Sequence, residues 1–125
     1  MSRGRIPGVA IHEAARVCSQ DGSRALPIGG DHEFADLVVL GTGKVQLVRV
    51  RRPHNVITDP ENVAARYCRE ITELRKIPAP GMVEKVLMLR EPDGSWLRFW
   101  VFPDSLEAAG RYCTAHHSRS RHFLF

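Results

Sequence analysis

Apolar positions recur at helical spacing at the start of the chain, where Val9, Ala10, Ala14, Val17 and Cys18 fall on one side of a segment opened by Pro7 and stopped by Asp21-Gly22. The pattern predicts a helix that buries those five residues. A short run at about residues 24–28 predicts a strand, and Pro27 confines it to a sheet edge because proline has no N–H to donate. The period then changes to two. Residues 33–40 and 44–52 read as strands joined by Gly41-Thr42-Gly43, and the unbroken apolar run Leu37-Val38-Val39-Leu40 suits a strand covered on both faces. Pro53 ends the second of them.

Val63, Tyr67, Ile71 and Leu74 then repeat at intervals of four, four and three. They predict a helix over residues 60–76, capped by Thr58 or Asp59, with Pro60 in its first turn, Glu61 near its positive end and Lys76 near its negative end. Pro78, Pro80 and Gly81 stop it. Residues 83–90 and 95–102 are two β runs around Asp93-Gly94, a hairpin signal; Trp96, Arg98 and Trp100 share one face of the second, and Leu97, Phe99 and Val101 the other. Asp104 or Ser105 caps an expected closing helix through Leu106, Ala109, Tyr112 and Cys113. The sum is an α/β (α+β) chain, a mixed sheet flanked by helices, with no internal repeat and no interdomain linker.

The length of 125 residues fits one domain over 1–125, whose core at this size buries about two thirds of the unfolded surface. Arg3 and Arg5 in residues 1–6, and the histidine-rich residues 115–125, give basic ends that are expected to be mobile. An apolar share of 43% beside 26% charged residues excludes a disordered or membrane composition. No apolar run approaches the ~18 residues of a membrane helix, and Met1 to Gly8 lacks a secretory core, so a cytoplasmic protein with no membrane partner is expected. The formal charge of +4 favours an acidic partner, DNA or RNA foremost. Cys18, Cys68 and Cys113 are too few and too far apart for a disulfide framework; reduced, mostly buried thiols are expected.

The chemistry gathers between Phe34 and Arg52. Asp36 lies near the start of one strand, and Arg49 and Arg51, two residues apart, share a face of the next. With the order helix, strand, strand, strand, helix, strand from Pro7 to Leu89, this segment resembles the PD-(D/E)XK nuclease superfamily of restriction endonucleases and small archaeal Holliday junction resolvases. The resemblance implies a restriction-endonuclease-like αβββαβ core, extended here by a C-terminal hairpin strand and helix. It implies that Asp36 corresponds to the metal-binding catalytic aspartate and Glu13, in Ile-His-Glu-Ala-Ala-Arg, to a helix glutamate of the same site. Arg49 and Arg51 then stand where the family carries Glu and Lys.

An active enzyme of that family uses Mg²⁺ or Mn²⁺ to polarise phosphate and activate water. Two unit charges about 4 Å apart interact by roughly 4 kcal/mol at an effective dielectric of 20, so a guanidinium at position 49 opposes a divalent cation; without activity no cofactor is expected. Arg51 for Lys is milder, although the planar donor has a different reach. Arg49 and Arg51 either face a phosphate backbone, together with Lys44, Arg52 and His54, or pair with Glu13, Glu33 or Asp36 and neutralise a former metal pocket.

Other candidates are thinner. His32, Glu33, Asp36 and His54 make a conceivable metal cluster without a known spacing, and Cys113, His116, His117 and His122 have zinc-type ligands but no partner cysteine pair. Trp96 and Trp100 could stack bases, join a second subunit or lie in the core. Gly41-Thr42-Gly43-Lys44 lacks the glycine spacing of a phosphate loop. Three functions follow: a nuclease-fold domain that binds nucleic acid with hydrolysis lost or impaired; an active Mg²⁺ endonuclease whose acid comes from Glu33, Glu13 or a partner subunit; and a noncatalytic interaction module using Trp96, Trp100 and Phe123-Leu124-Phe125. A homodimer is compatible with each.

Overall fold

A computed structural model describes residues 8–19, 22–28, 35–41, 43–55, 59–78 and 81–113, the side chains of residue 8 and of 111–113 excepted. The expected basic ends at 1–6 and 115–125, and His32, Glu33, His116, His117 and His122, lie outside the described residues.

The first helix, α1 (Gly8–Cys18), buries Ala10, Ile11, Ala14 and Val17. Val9, expected inside, is 69% exposed, and Ile11 takes its place. Residues 10, 14 and 17 lie one turn apart with 11 beside them, whereas Val9 follows the turn of Glu13 and Arg16 on the outer face. The strands β1 (Arg24–Pro27), β2 (Leu37–Gly41) and β3 (Lys44–Arg51) form an antiparallel meander with β1 at the edge, as Pro27 requires. Ahead of β2, Asp36 N–H donates to the Val48 carbonyl at 2.8 Å and the Asp36 carbonyl accepts from Ile28 N–H at 2.9 Å, so the Asp36 backbone is pinned between its two neighbours.

The helix expected over 60–76 is broken once. It runs as α2 (Pro60–Arg66) and α3 (Cys68–Arg75), with Tyr67 between them at φ −110° and ψ 31°. Hydrogen bonding continues through the break, from Tyr67 N–H to Val63 O and from Ile71 N–H to Tyr67 O, both 2.9 Å. The Asp59 carboxylate caps α2 by accepting from Asn62 N–H. All four periodic residues, Val63, Tyr67, Ile71 and Leu74, are buried.

This pair of helices is a crossover to β4 (Val83–Arg90), which lies parallel to β3; the other pairings in the sheet are antiparallel. At the next hairpin Gly94 takes φ +93°, open to glycine at no steric penalty, and the chain returns as β5 (Ser95–Val101). Residues 106–113, expected as a helix, form instead the strand β6 (Leu106–Cys113), antiparallel to β5. Two local features favour the strand. Phe102 N–H closes a tight turn onto the Ser105 carbonyl at 2.9 Å, too short a connection to lead a helix off the sheet, and Gly110 at φ +127° opposes Arg98 where Ala109 is bulged out of register. β5 gains a second neighbour thereby, and this pairing outweighs the helical spacing of Leu106, Ala109 and Tyr112.

The six strands run in the order β1-β2-β3-β4-β5-β6. On one face α1 packs over Leu37, Val39, Val48, Val50, Val86, Met88 and Trp96; on the other α2 and α3 cover Leu47, Leu87, Leu89, Leu97, Phe99 and Val101. Each fully buried Leu or Phe contributes about 1.5–3 kcal/mol relative to exposure, so both layers hold the sheet from opposite sides. Trp96 and Trp100 do share a face, as expected, but Trp96 is only 1% exposed and belongs to the α1 layer, which removes it from base stacking and from subunit contact.

Candidate functional site

β3 alternates in the ordinary way, so Val48 and Val50 point toward α1 while Leu47, Arg49 and Arg51 point toward α2 and α3. An arginine in the middle of a covered strand needs acceptors. Arg49, whose side chain is 4% exposed, donates from Nη1 to Asp36 Oδ1 at 3.3 Å and from Nη2 to Glu73 Oε1 at 2.8 Å. Arg51 donates from Nη1 to Asp36 Oδ2 at 3.0 Å and to the Val50 carbonyl at 2.7 Å, and from Nε to Glu70 Oε2 at 2.9 Å. Asp36 also accepts from Val50 N–H at 2.8 Å.

Asp36 is thus the shared anchor of two guanidiniums, each of which reaches on to one glutamate of α3. Arg69 Nε lies 3.8 Å from Glu73 Oε2 on the exposed side. Three carboxylates face three guanidiniums, and the cluster is formally neutral. Burial, with the Glu70 carboxylate, pushes the Tyr67 hydroxyl above the ordinary phenol range, despite Arg66 and Arg51 nearby.

Glu70 and Glu73 were not among the residues that the sequence singles out, because helix glutamates are usually solvated. A signal was present: each directly precedes a buried apolar residue, Ile71 and Leu74, and the two are one turn apart, at the rim of the buried stripe.

The remaining candidates scatter. Glu13 on α1 accepts from Arg90 Nε at 2.6 Å, and Arg90 is in phase with Val86 and Met88, so this pair lies on the α1 face and does not join the Asp36 cluster. Lys44 begins β3, seven residues and about 23 Å of strand from Arg51, and its Nζ sits 3.6 Å from Glu84. Arg52 and His54 are exposed just beyond β3. Arg51 and Arg90 therefore lie at the carboxyl ends of the parallel pair β3 and β4, on opposite faces of the sheet, with Arg52 and His54 just beyond β3.

An open cleft of about 550 Å³, lined by Arg75, Val83, Lys85, Trp100 and Phe102 among others, occupies the other end of these strands. Cys18 ends α1 with its Sγ 3.5 Å from Met88 Sδ, and burial pushes its thiol up to about 11 against the pull of Arg98. Cys68 is exposed.

A divalent cation of the Mg²⁺ type asks for near-octahedral oxygen ligands at about 2.0–2.1 Å. The carboxylates that could supply them, Asp36, Glu70 and Glu73, already hold guanidiniums, and the Arg49 and Arg51 nitrogens lie within 3.3 Å of Asp36. The donor set does not fit such an ion. Among the described residues no group of three His, Cys, Asp or Glu side chains has a metal-holding arrangement.

No protein-family model and no curated protein matches the chain. A solved structure does: that of Hjc from Archaeoglobus fulgidus, a Holliday junction resolvase from an archaeal hyperthermophile, superposes with a TM-score of 0.58 over 90% of this chain and 92% of that one. The fold is restriction-endonuclease-like. At 12% identity the likeness carries the fold alone, and at 90% of the chain it is longer than the segment from Pro7 to Leu89 whose residues resemble the PD-(D/E)XK pattern. In this nuclease-like fold Asp36, Arg49 and Arg51 are held with Glu70 and Glu73 in an arginine-carboxylate lattice. No helix among the described residues is long and apolar enough to cross a membrane.

Proposed function

We propose that this nuclease-fold domain binds nucleic acid without hydrolysing it. The observation that carries the reading is the double hold of Arg49 and Arg51 on Asp36, in the place where the resemblance puts a metal-binding Asp, a Glu and a Lys. A guanidinium that neutralises the aspartate removes the field that would draw a cation in, while leaving the fold that presents this end of the sheet. In open α/β sheets ligands favour the crevice at the carboxyl ends of parallel strands, and here that end carries Arg51, Arg52, His54 and Arg90. Arg52 and His54 are the exposed phosphate contacts, Arg51 lies behind them, and Arg49 supports from the interior. Lys44 belongs to a different part of the surface.

Binding of labelled DNA and RNA, single- and double-stranded, should weaken with salt, and Arg51→Ala with Arg52→Ala should weaken it further through the loss of counterion release. Absence of affinity for every one of these at low salt would sink the proposal. Cleavage that needs Mg²⁺ or Mn²⁺ and is abolished by Asp36→Ala would instead favour an endonuclease with a rearranged carboxylate site. Pairing of two copies is a second reading, favoured by the exposed apolar side chains Met82 and Phe102 at the other end of the sheet. A monomeric mass by light scattering would oppose it.

A further inference from the structure

The two ends of the arginine-carboxylate lattice are not equivalent. Asp36 is 3% exposed and fixed by backbone bonds, so it holds both guanidiniums from inside; Glu70 and Glu73 reach in from α3, with side chains 16% and 37% exposed. We propose that Glu70 is a built-in competitor of nucleic-acid phosphate for Arg51, so that its grip sets the affinity of this face, while Glu73 holds the interior Arg49.

The chemistry of the contacts supports this. Both are charge-assisted bonds, at 2.9 and 2.8 Å, to the group that also recognises phosphate oxygens. Glu70 and Glu73 are one turn apart on α3, and Arg49 and Arg51 are two residues apart on β3, so a single helix face meets both guanidiniums at once. Withdrawing a glutamate would not release the arginines, because Asp36 keeps them in place. Arg51 has the more accessible position: its side chain is 25% exposed, and its Nη2 makes no hydrogen bond to the described residues. Arg66 and Arg69, exposed on the neighbouring helical turns, continue the positive row outward. A phosphate arriving along that row meets Arg51 and has Glu70 to displace.

The inference rests on the nucleic-acid reading, and one set of measurements separates the two. Anisotropy of a fluorescein-labelled DNA duplex and single strand at about 50 mM salt should give a roughly 3- to 10-fold higher affinity for Glu70→Gln, with a salt slope steeper by about 0.9 for the added phosphate contact. Glu107→Gln, an equal charge change on the exposed side of β6, should give a much smaller gain. In an Arg51→Gln background the gain from Glu70→Gln should vanish, as a local competition demands and a general change in net charge does not. Should Glu70→Gln fail to melt cooperatively, Glu70→Asp, which keeps the charge but withdraws it by one methylene, should move affinity in the same direction by less. Binding by the unsubstituted protein with Glu70→Gln no better than Glu107→Gln, or a gain that survives Arg51→Gln, overturns the competition and leaves the binding proposal standing. No binding by any of these proteins overturns both.

Discussion

Replacing Arg49 by alanine takes one guanidinium out of the interior and leaves its acceptors behind. Among the described residues Asp36, its side chain 3% exposed, keeps Val50 N–H and Arg51 as donors, while Glu73 keeps the distant, exposed Arg69. Losing one partner of a buried ion pair is typically worth 3–5 kcal/mol, because the buried carboxylate loses a counterion and gains no water in its place. Against a total stability of about 5–15 kcal/mol for an ordinary domain, that is roughly a fifth or more. At roughly 3–5 °C per kcal/mol for a chain of this size, the melting temperature should fall by about 10–20 °C. Urea unfolding followed by circular dichroism measures the loss at constant temperature. The comparison that isolates the lattice is a cycle with Asp36→Asn: the two changes together should lose less than the sum of each alone, by about 0.5–3 kcal/mol. A loss under about 1 kcal/mol for Arg49→Ala, the range of a surface pair, would refute a buried lattice and return Arg49 to solvent.

Glu13→Gln breaks a pair whose two side chains are both partly exposed, and should destabilise by no more than about 1 kcal/mol in the same urea assay. Leu74→Ala, in the layer that carries Glu70 and Glu73 against the sheet, should lose about 2–5 kcal/mol and measurably loosen amide exchange along α3. Cys18, with a thiol raised by burial from 9.0 to about 11, holds its proton when folded but releases it when unfolded; its share of stability is intact below pH 9 and is lost as the pH climbs toward 11. Cys18→Ala should flatten that part of the alkaline stability profile, and iodoacetamide at pH 8 should modify Cys68 before Cys18, as peptide mass mapping can read.

Much of the fold was legible where local chemistry and tertiary packing agree. The Asp93-Gly94 turn, the edge proline of β1 and the four-four-three repeat from Val63 to Leu74 each name their own element, and each is where the residues place it. Residues 106–113 deceived because a capping residue and helical spacing are weak preferences, whereas the open edge of β5 offers a full ladder of backbone hydrogen bonds. Tyr67 interrupts the crossover helix without any proline or glycine to announce it. The Asp36 site was half legible. Asp36, Arg49 and Arg51 stand on adjoining strands, and their pairing follows from strand geometry alone. Glu70 and Glu73 come from a helix some twenty residues on, and only the crossover that lays α3 over β3 brings them in. An arginine between Val48 and Val50 still demanded acceptors somewhere above that face.

The proposal that an arginine lattice stands where a metal would bind is tested most directly by anomalous scattering from crystals grown with Mn²⁺. The result expected is Arg49 and Arg51 on Asp36 at the distances given above, with no manganese peak between them. A manganese ion bound to Asp36, with the guanidiniums turned away, would contradict it and reinstate the endonuclease.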